Sequence, residues 1–284
     1  MKKKICILHA NCQGDPIEEL LMLSPEFSEI YEIHNFTNYT KVPIPEELIS
    51  RCDLFLHQPL GEAWGKLGSA LIISKLKTSA IAQPFPSLFF QYYWPLWSSA
   101  PGFDYRDSFL DSLLERELTE SQILHLYINT KLPNIYDIKT ILENSINREL
   151  HKEKITGINY VDLIHSNFKQ ERLFNTVNHP QKKLLAHLAN SILTELRMNP
   201  LSGKKIEDFP QTFPDFEMPI HPQVAEYLKL TFGGPEERYH VYGADLTFEE
   251  YAMRYIKCRK HGIDDFITFL QAAALKKETS KDMI

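Results

Sequence analysis

The 284-residue chain has no cysteine pair close enough in sequence to mark a zinc site or a redox motif. Its cysteines, Cys6, Cys12, Cys52 and Cys258, are scattered. The glycine signatures of phosphate loops are missing too. There is no Gly-x-Gly-x-x-Gly, and Gly61-Glu62-Ala63-Trp64-Gly65-Lys66-Leu67 falls one residue short of a P-loop and lacks the Ser or Thr after the lysine. No apolar run approaches a membrane span, and the run after Met1-Lys2-Lys3-Lys4 breaks at Asn11 and Gln13, too early for a signal peptide. A net charge of -6 gives no reason to expect nucleic acid as a general partner. Internal repeats and low-complexity tracts are absent as well. These absences lead to the expectation of a cytoplasmic protein with no metal site, in which the sequons at Asn35 and Asn38 carry no sugar.

What is present is an ordinary globular composition, 43% apolar and 24% charged. In the first third, strand-like runs at 3–10, 31–36, 52–57 and 79–83 alternate with helical segments. That alternation predicts an α/β fold: a small, mostly parallel sheet with a strand-turn-helix start. From about residue 105 the periodicity becomes helical. Phe109, Leu110, Leu113 and Leu114 form one stripe, Ile138, Ile141, Leu142 and Ile146 another, and Thr119 with Gln122 reads as a capping box. The strongest stripe, Leu184 to Leu196, predicts a helix starting at Pro180. Residues 199–222 read as an extended connection, followed by helices near 222–230 and 247–260 and a frayed tail carrying Lys276, Lys277 and Lys281. The expected organisation is an α/β catalytic domain over 1–198, with a helical insertion at about 105–170. Residues 199–284 are expected to add a connection and C-terminal helices packed on the same domain.

The turn Asn11-Cys12-Gln13-Gly14 follows the first strand directly and leads into a helix with Asp15, Pro16 and Glu18 in its opening turns. Open α/β sheets place ligands at such strand ends, and a helix N-terminus favours a thiolate. Cys12 is therefore a candidate nucleophile; the competing reading is a small buried residue. A second polar turn, Asn175-Thr176-Val177-Asn178-His179-Pro180, places His179 at a helix start, where a neutral imidazole able to accept a proton is expected. Cys12 and His179 make a candidate nucleophile and base, with Asn178 as orienter. Gln13 and Gln58 are candidate oxyanion donors. The cations available for a phosphorylated ligand are Arg148, Lys152, Arg172, Lys182 and Lys183. The aromatic run Phe85 to Trp97 is either core or pocket wall, with packing dominant.

Asn11-Cys12-Gln13, Gln58, Pro84-x-Pro86 leading to Phe89-Phe90, Arg148-Glu149, and Arg172-Leu173-Phe174-x-Thr176-x-Asn178-His179-Pro180 occur in one order along the chain. Together they resemble acetyltransferases of the WcbI polysaccharide-biosynthesis type. The pattern departs from that family at Trp94, which stands where a histidine before proline is expected, and at Ala10 in place of glycine. The resemblance implies capsular polysaccharide biosynthesis, with acyl-coenzyme A as donor and a sugar or polysaccharide precursor as acceptor. It places Cys12 and His179 on the family's motif positions, with Gln58, Arg148, Lys152, Arg172 and Lys182 toward coenzyme A. Whether Cys12 accepts the acyl group or lies beside the thioester stays open, as does homo-oligomerisation. The layout is also similar to SGNH hydrolases and to Rossmann-like sheets. A glycan esterase or deacetylase, or a non-catalytic coenzyme A- or glycan-binding protein, are the alternatives.

Overall fold

The computed structural model describes residues 3–281, with side chains through Ala274. Met1, Lys2 and the side chains of Lys276, Lys277 and Lys281 lie outside the described residues, although the backbone of the last helix runs Phe266–Lys281. Two compact units are distinguished. One comprises Met1–Phe89, Asn147–Ser166 and Asn178–Thr212; the other comprises Phe90–Ile146, Asn167–Val177 and Phe213–Ile284. The chain thus passes between units several times.

The first unit is built on a four-stranded sheet of β1 (Lys4–Ala10), β2 (Tyr31–Thr37), β3 (Leu54–His57) and β4 (Ile81–Pro84). The order is β2-β1-β3-β4, and every pair is parallel. Helices α1 (Gly14–Met22), α2 (Pro25–Ile30), α3 (Glu46–Arg51) and α4 (Ser69–Ser74) connect the strands. Strand alternation sends Ile7 and Phe55 to one face, where they pack with Ile44, Ile49, Cys52 and Ile72. Cys6, Leu8 and Ala10, all fully buried, point to the other. There α1 packs with the helix Lys182–Glu195, whose buried stripe is Leu184, Leu185, Leu188, Ile192 and Leu193. Each such leucine contributes on the order of 1.5–3 kcal/mol by leaving water.

The second unit is mainly helical, with helices Ser108–Leu114, Glu120–Asn129, Pro222–Leu228, Phe248–Lys260 and Phe266–Lys281. The Thr119–Gln122 capping box forms as read from the sequence, and Thr247 with Glu250 forms another. The part of the aromatic run in this unit is both core and pocket wall, Tyr93 to Trp97 lining a pocket with Tyr105, Tyr127 and Tyr251. Phe90 stacks on Phe174 at 5.1 Å and meets Tyr93 edge-on at 4.8 Å, and Trp94 Nε1 donates to the carbonyls of Met218 and Pro219.

Two expectations are corrected. The helix after His179 starts at Lys182, because its N-cap Gln181 is extended (φ -74, ψ 165); His179–Pro180 is instead a short strand. The connection 199–222 contains the helix Gly203–Asp208, nucleated by Ser202, whose hydroxyl accepts from Lys205 N. Among the described residues, no helix is long and apolar enough to cross a membrane.

Candidate functional site

With the order β2-β1-β3-β4, the chain leaves β1 to one side and later returns on the other, so the crevice between β1 and β3 is the sheet's switch point. Asn11-Cys12-Gln13 lies at its carboxyl edge. Gln58 N donates to His9 O at 3.0 Å, and Asn11 N donates to Gln58 Oε1 at 2.8 Å, so a side chain carries the β1–β3 ladder past the strand ends. Asn11 Oδ1 accepts from Gln13 N at 2.9 Å, and Asn11 O accepts from Gly14 N at 2.9 Å. This Asx turn delivers the backbone into α1. A Cβ on Gly14 would lie 3.1 Å from Asn35 Oδ1 and 3.2 Å from Ala10 Cβ, so glycine permits the close approach of helix to strand.

Gln13 is fully buried and all of its side-chain polar atoms are committed. Nε2 donates to Leu88 O at 2.8 Å and Asn178 O at 2.9 Å; Oε1 accepts from Leu88 N at 3.0 Å and Gln58 Nε2 at 3.3 Å. Gln13 therefore has no donor left for an oxyanion and positions the turn, contrary to the role read from sequence. Gln58, also buried, gives its oxygen to Asn11 N and one N–H to Gln13.

Cys12 is half-buried, and its Sγ accepts from Asn178 Nδ2 at 3.9 Å. The turn thus brings together Cys12, Asn178, Gln13 and Gln58. Burial pushes the Cys12 thiol up to about 11, with Asp15 adding to the effect. The thiolate expected from the helix end is not favoured: Gln13 rather than Cys12 occupies the N-cap, and desolvation outweighs the dipole. His179 follows Asn178 directly; burial lowers its imidazole to about 4. The ring is neutral, as expected, but through desolvation, since the helix begins three residues later. His9 and His57, cross-strand neighbours just before the turn, are likewise lowered to about 4, chiefly by burial.

The segment after β4 is clamped from both sides. Gln13 holds Leu88. Lys152 Nζ donates to Ser87 O at 2.8 Å, and Phe89 N donates to Glu149 Oε2 at 3.2 Å. Glu149, 1% exposed, also accepts from Tyr160 OH at 2.9 Å and Lys152 Nζ at 2.7 Å. Burial nonetheless raises its carboxyl above the usual range.

A profile of the family described as "Polysaccharide biosynthesis enzyme WcbI" matches residues 5–201. The chain belongs to the WcbI family. A solved WcbI structure has the same fold, with a TM-score of 0.73 at 19% identity, covering 98% of this chain and 96% of that one. That structure is described as the native protein without a disulfide bond between coenzyme A and one of its cysteines. No curated protein matches the chain.

In this WcbI-family chain the cations singled out from sequence fall into separate groups. Arg148 and Lys152 both stand over the Phe89 ring, at 5.6 and 5.8 Å from its centroid. Lys182 is elsewhere, donating to the carbonyls of Glu207 and Phe209 at 2.9 and 2.8 Å. Arg172 belongs to the second unit, where it lies 4.8 Å from the Tyr239 ring centroid and bonds Met218 O. Sequence reasoning gave no role to Asn11, Glu149 or Tyr39. The first builds the turn and the second the clamp. Tyr39, 58% exposed, is near enough for Cys12 and Asp15 to raise its phenol, after burial. Asn11 was legible as an Asx-turn residue. Glu149 was not, because the backbone it clamps, at Phe89, lies 60 residues away.

Proposed function

We propose that this protein moves an acyl group, in the simplest case acetyl, from coenzyme A to a hydroxyl of a sugar destined for a surface polysaccharide. The observation that carries the reading is the half-buried Cys12 at the sheet's switch point, its sulfur bonded by the amide of Asn178, whose sequence neighbour His179 is neutral. Family membership supports enzymatic action in polysaccharide synthesis. The relative described with coenzyme A and a cysteine supports the donor.

The residues present fit coenzyme A. Cys12 supplies a partly exposed thiol in the crevice, and Arg148 supplies a cation for phosphate in the same unit, Lys152 being taken up by Glu149 and Ser87. Bound as a thioester, coenzyme A supplies an activated acyl carbon and a stable leaving thiolate. His179, neutral above about pH 4, accepts the proton of the sugar hydroxyl as its oxygen bonds the acyl carbon. As the carbon–sulfur bond gave way, His179 would return that proton to the thiolate that coenzyme A supplies as leaving group. Cys12, protonated at neutral pH, orients rather than attacks, and Asn178 fixes its sulfur. Gln13 and Glu149 keep the walls in place.

Free thiol release from acetyl-coenzyme A with a panel of sugar acceptors tests the reading. His179→Ala should lose about 10²–10⁴-fold in rate, while Cys12→Ser should keep most of it. Loss of all turnover in Cys12→Ser, with an acyl group trapped on Cys12 of the parent, would replace direct transfer by a covalent route. Coenzyme A binding without turnover on any acceptor would make the protein a binding module.

A further inference from the structure

The connections after β1, β2 and β3 all emerge at the carboxyl edge of the parallel sheet, and only the first is used above. The second forms a 3-10 turn, Asn38–Thr40, closed by Lys41 N donating to Asn38 O at 3.1 Å. It ends with Lys41 in the left-handed region at φ 57. The third is a constructed loop. Leu60 N donates to Ser69 Oγ at 2.9 Å and Ser69 N to Leu60 O at 3.0 Å, pinning its ends together. Gly65 sits at φ 53 and ψ -118, a conformation reserved for glycine. A Cβ on Gly68 would press within 3.2 Å of Gly65 O and 3.3 Å of Gly61 O. The glycines that gave this stretch its P-loop appearance thus shape the loop instead, and what the loop presents is Trp64 and Lys66.

Between these two connections lies a pocket of about 440 Å³, lined by Lys41, Pro43, Ala63, Trp64, Lys66 and Leu67. Trp64 is 37% exposed, which leaves part of the indole open to a stacking partner. Lys41 and Lys66 are exposed, and among the described residues neither ammonium has a carboxylate within ion-pair range. Glu46, whose carboxyl Lys66 influences, is already bonded to Lys75 Nζ at 2.6 Å. Tyr39, two residues before Lys41, is near enough for the charge of a Cys12 thiolate to act on its phenol, and pocket and thiol belong to the same edge of one unit.

We infer that this pocket binds a nucleoside diphosphate, its base stacked on Trp64 and its phosphates held by Lys41 and Lys66. A flat ring beside two lone cations, at the carboxyl edge of a parallel sheet, is the chemistry that ligand requires. Two sources supply it: the adenine-nucleotide end of coenzyme A, or a nucleotide-activated sugar acceptor. The link to acyl transfer rests on the function proposed above; nucleotide binding itself does not.

Calorimetry with ADP, UDP and inorganic phosphate, on the full chain, tests the inference. ADP or UDP should bind measurably and better than phosphate. Trp64→Ala and the pair Lys41→Ala/Lys66→Ala should each weaken it by about tenfold or more. Trp64→Phe should retain most of the affinity, separating stacking from folding, and circular dichroism should be unchanged in all variants. Competition of coenzyme A with ADP assigns the pocket to the donor's nucleotide; simultaneous binding assigns it to the acceptor's. Failure of both nucleotides to bind at millimolar concentration, or equal affinity in all variants, overturns the inference. Nucleotide binding in a protein that never turns over would leave it standing and remove only the acyl-transfer reading.

Discussion

Replacing Gln13 by alanine should destabilise the first unit rather than remove a catalytic group. The substitution deletes four hydrogen bonds, at 2.8, 2.9, 3.0 and 3.3 Å. Two of them satisfy both backbone groups of Leu88, a residue 1% exposed. An orphaned buried backbone group costs about 1–3 kcal/mol, and the space left by the amide adds a cavity cost. The loss should therefore reach roughly 3–6 kcal/mol, a large part of the ~5–15 kcal/mol typical of a whole domain. Gln13→Glu should be nearly as harmful, because it turns an acceptor toward two carbonyl oxygens that need donors. Urea unfolding followed by far-ultraviolet circular dichroism measures the effect as a lower midpoint at unchanged slope. If Gln13→Ala loses less than about 1 kcal/mol while acyl transfer disappears, the amide touches substrate and its assignment as a positioning residue is refuted.

Glu149→Ala should cost about 3–5 kcal/mol by stranding Lys152, Tyr160 OH and Phe89 N; a urea midpoint equal to the parent's would contradict the clamp. His9, His57, His179 and His221 are lowered from 6.5 to about 4. The unfolded chain therefore takes up protons near 6.5 that the folded one refuses until about 4, and stability should fall as pH drops through that window. A midpoint that stays flat between pH 7 and 5 would argue against these four neutral rings. Cys12, half-buried where Cys6, Cys52 and Cys258 are buried, should be alkylated before them, and its rate should climb with pH toward about 11; a plateau near pH 8 would mean a normal thiol.

The elements legible in the sequence were those set by local pattern. The apolar runs ending at Ala10, His57 and Pro84 and the Thr119 capping box state their structure in consecutive residues. Pro180 misled because proline suits a first helical turn but does not compel one, and the extended Gln181 sets the boundary. The helix Gly203–Asp208 was missed because six residues carry too little periodicity to register. Within the site, Cys12 and Asn178 could be named from their turns. That Gln13 is saturated, that Lys152 serves Ser87, and that Lys182 serves Glu207 and Phe209 depends on partners far along the chain. Side-chain type alone does not distinguish an amide that meets a ligand from one that meets a backbone.

The pinning of the Asn11–Gln13 turn has a consequence for affinity. Immobilising a rotamer-rich side chain during association costs ~0.5–1.5 kcal/mol. Asn11, Gln13 and Gln58 are already held by bonds to backbone, at 2.9, 2.8 and 2.8 Å. A molecule arriving beside Cys12 therefore meets a turn whose partly exposed amide, Asn11, surrendered its ordering entropy during folding, a saving of about 0.5–1.5 kcal/mol. A rather small or weakly attractive group can then be held in register there, leaving the more distant parts of the same ligand to supply the grip.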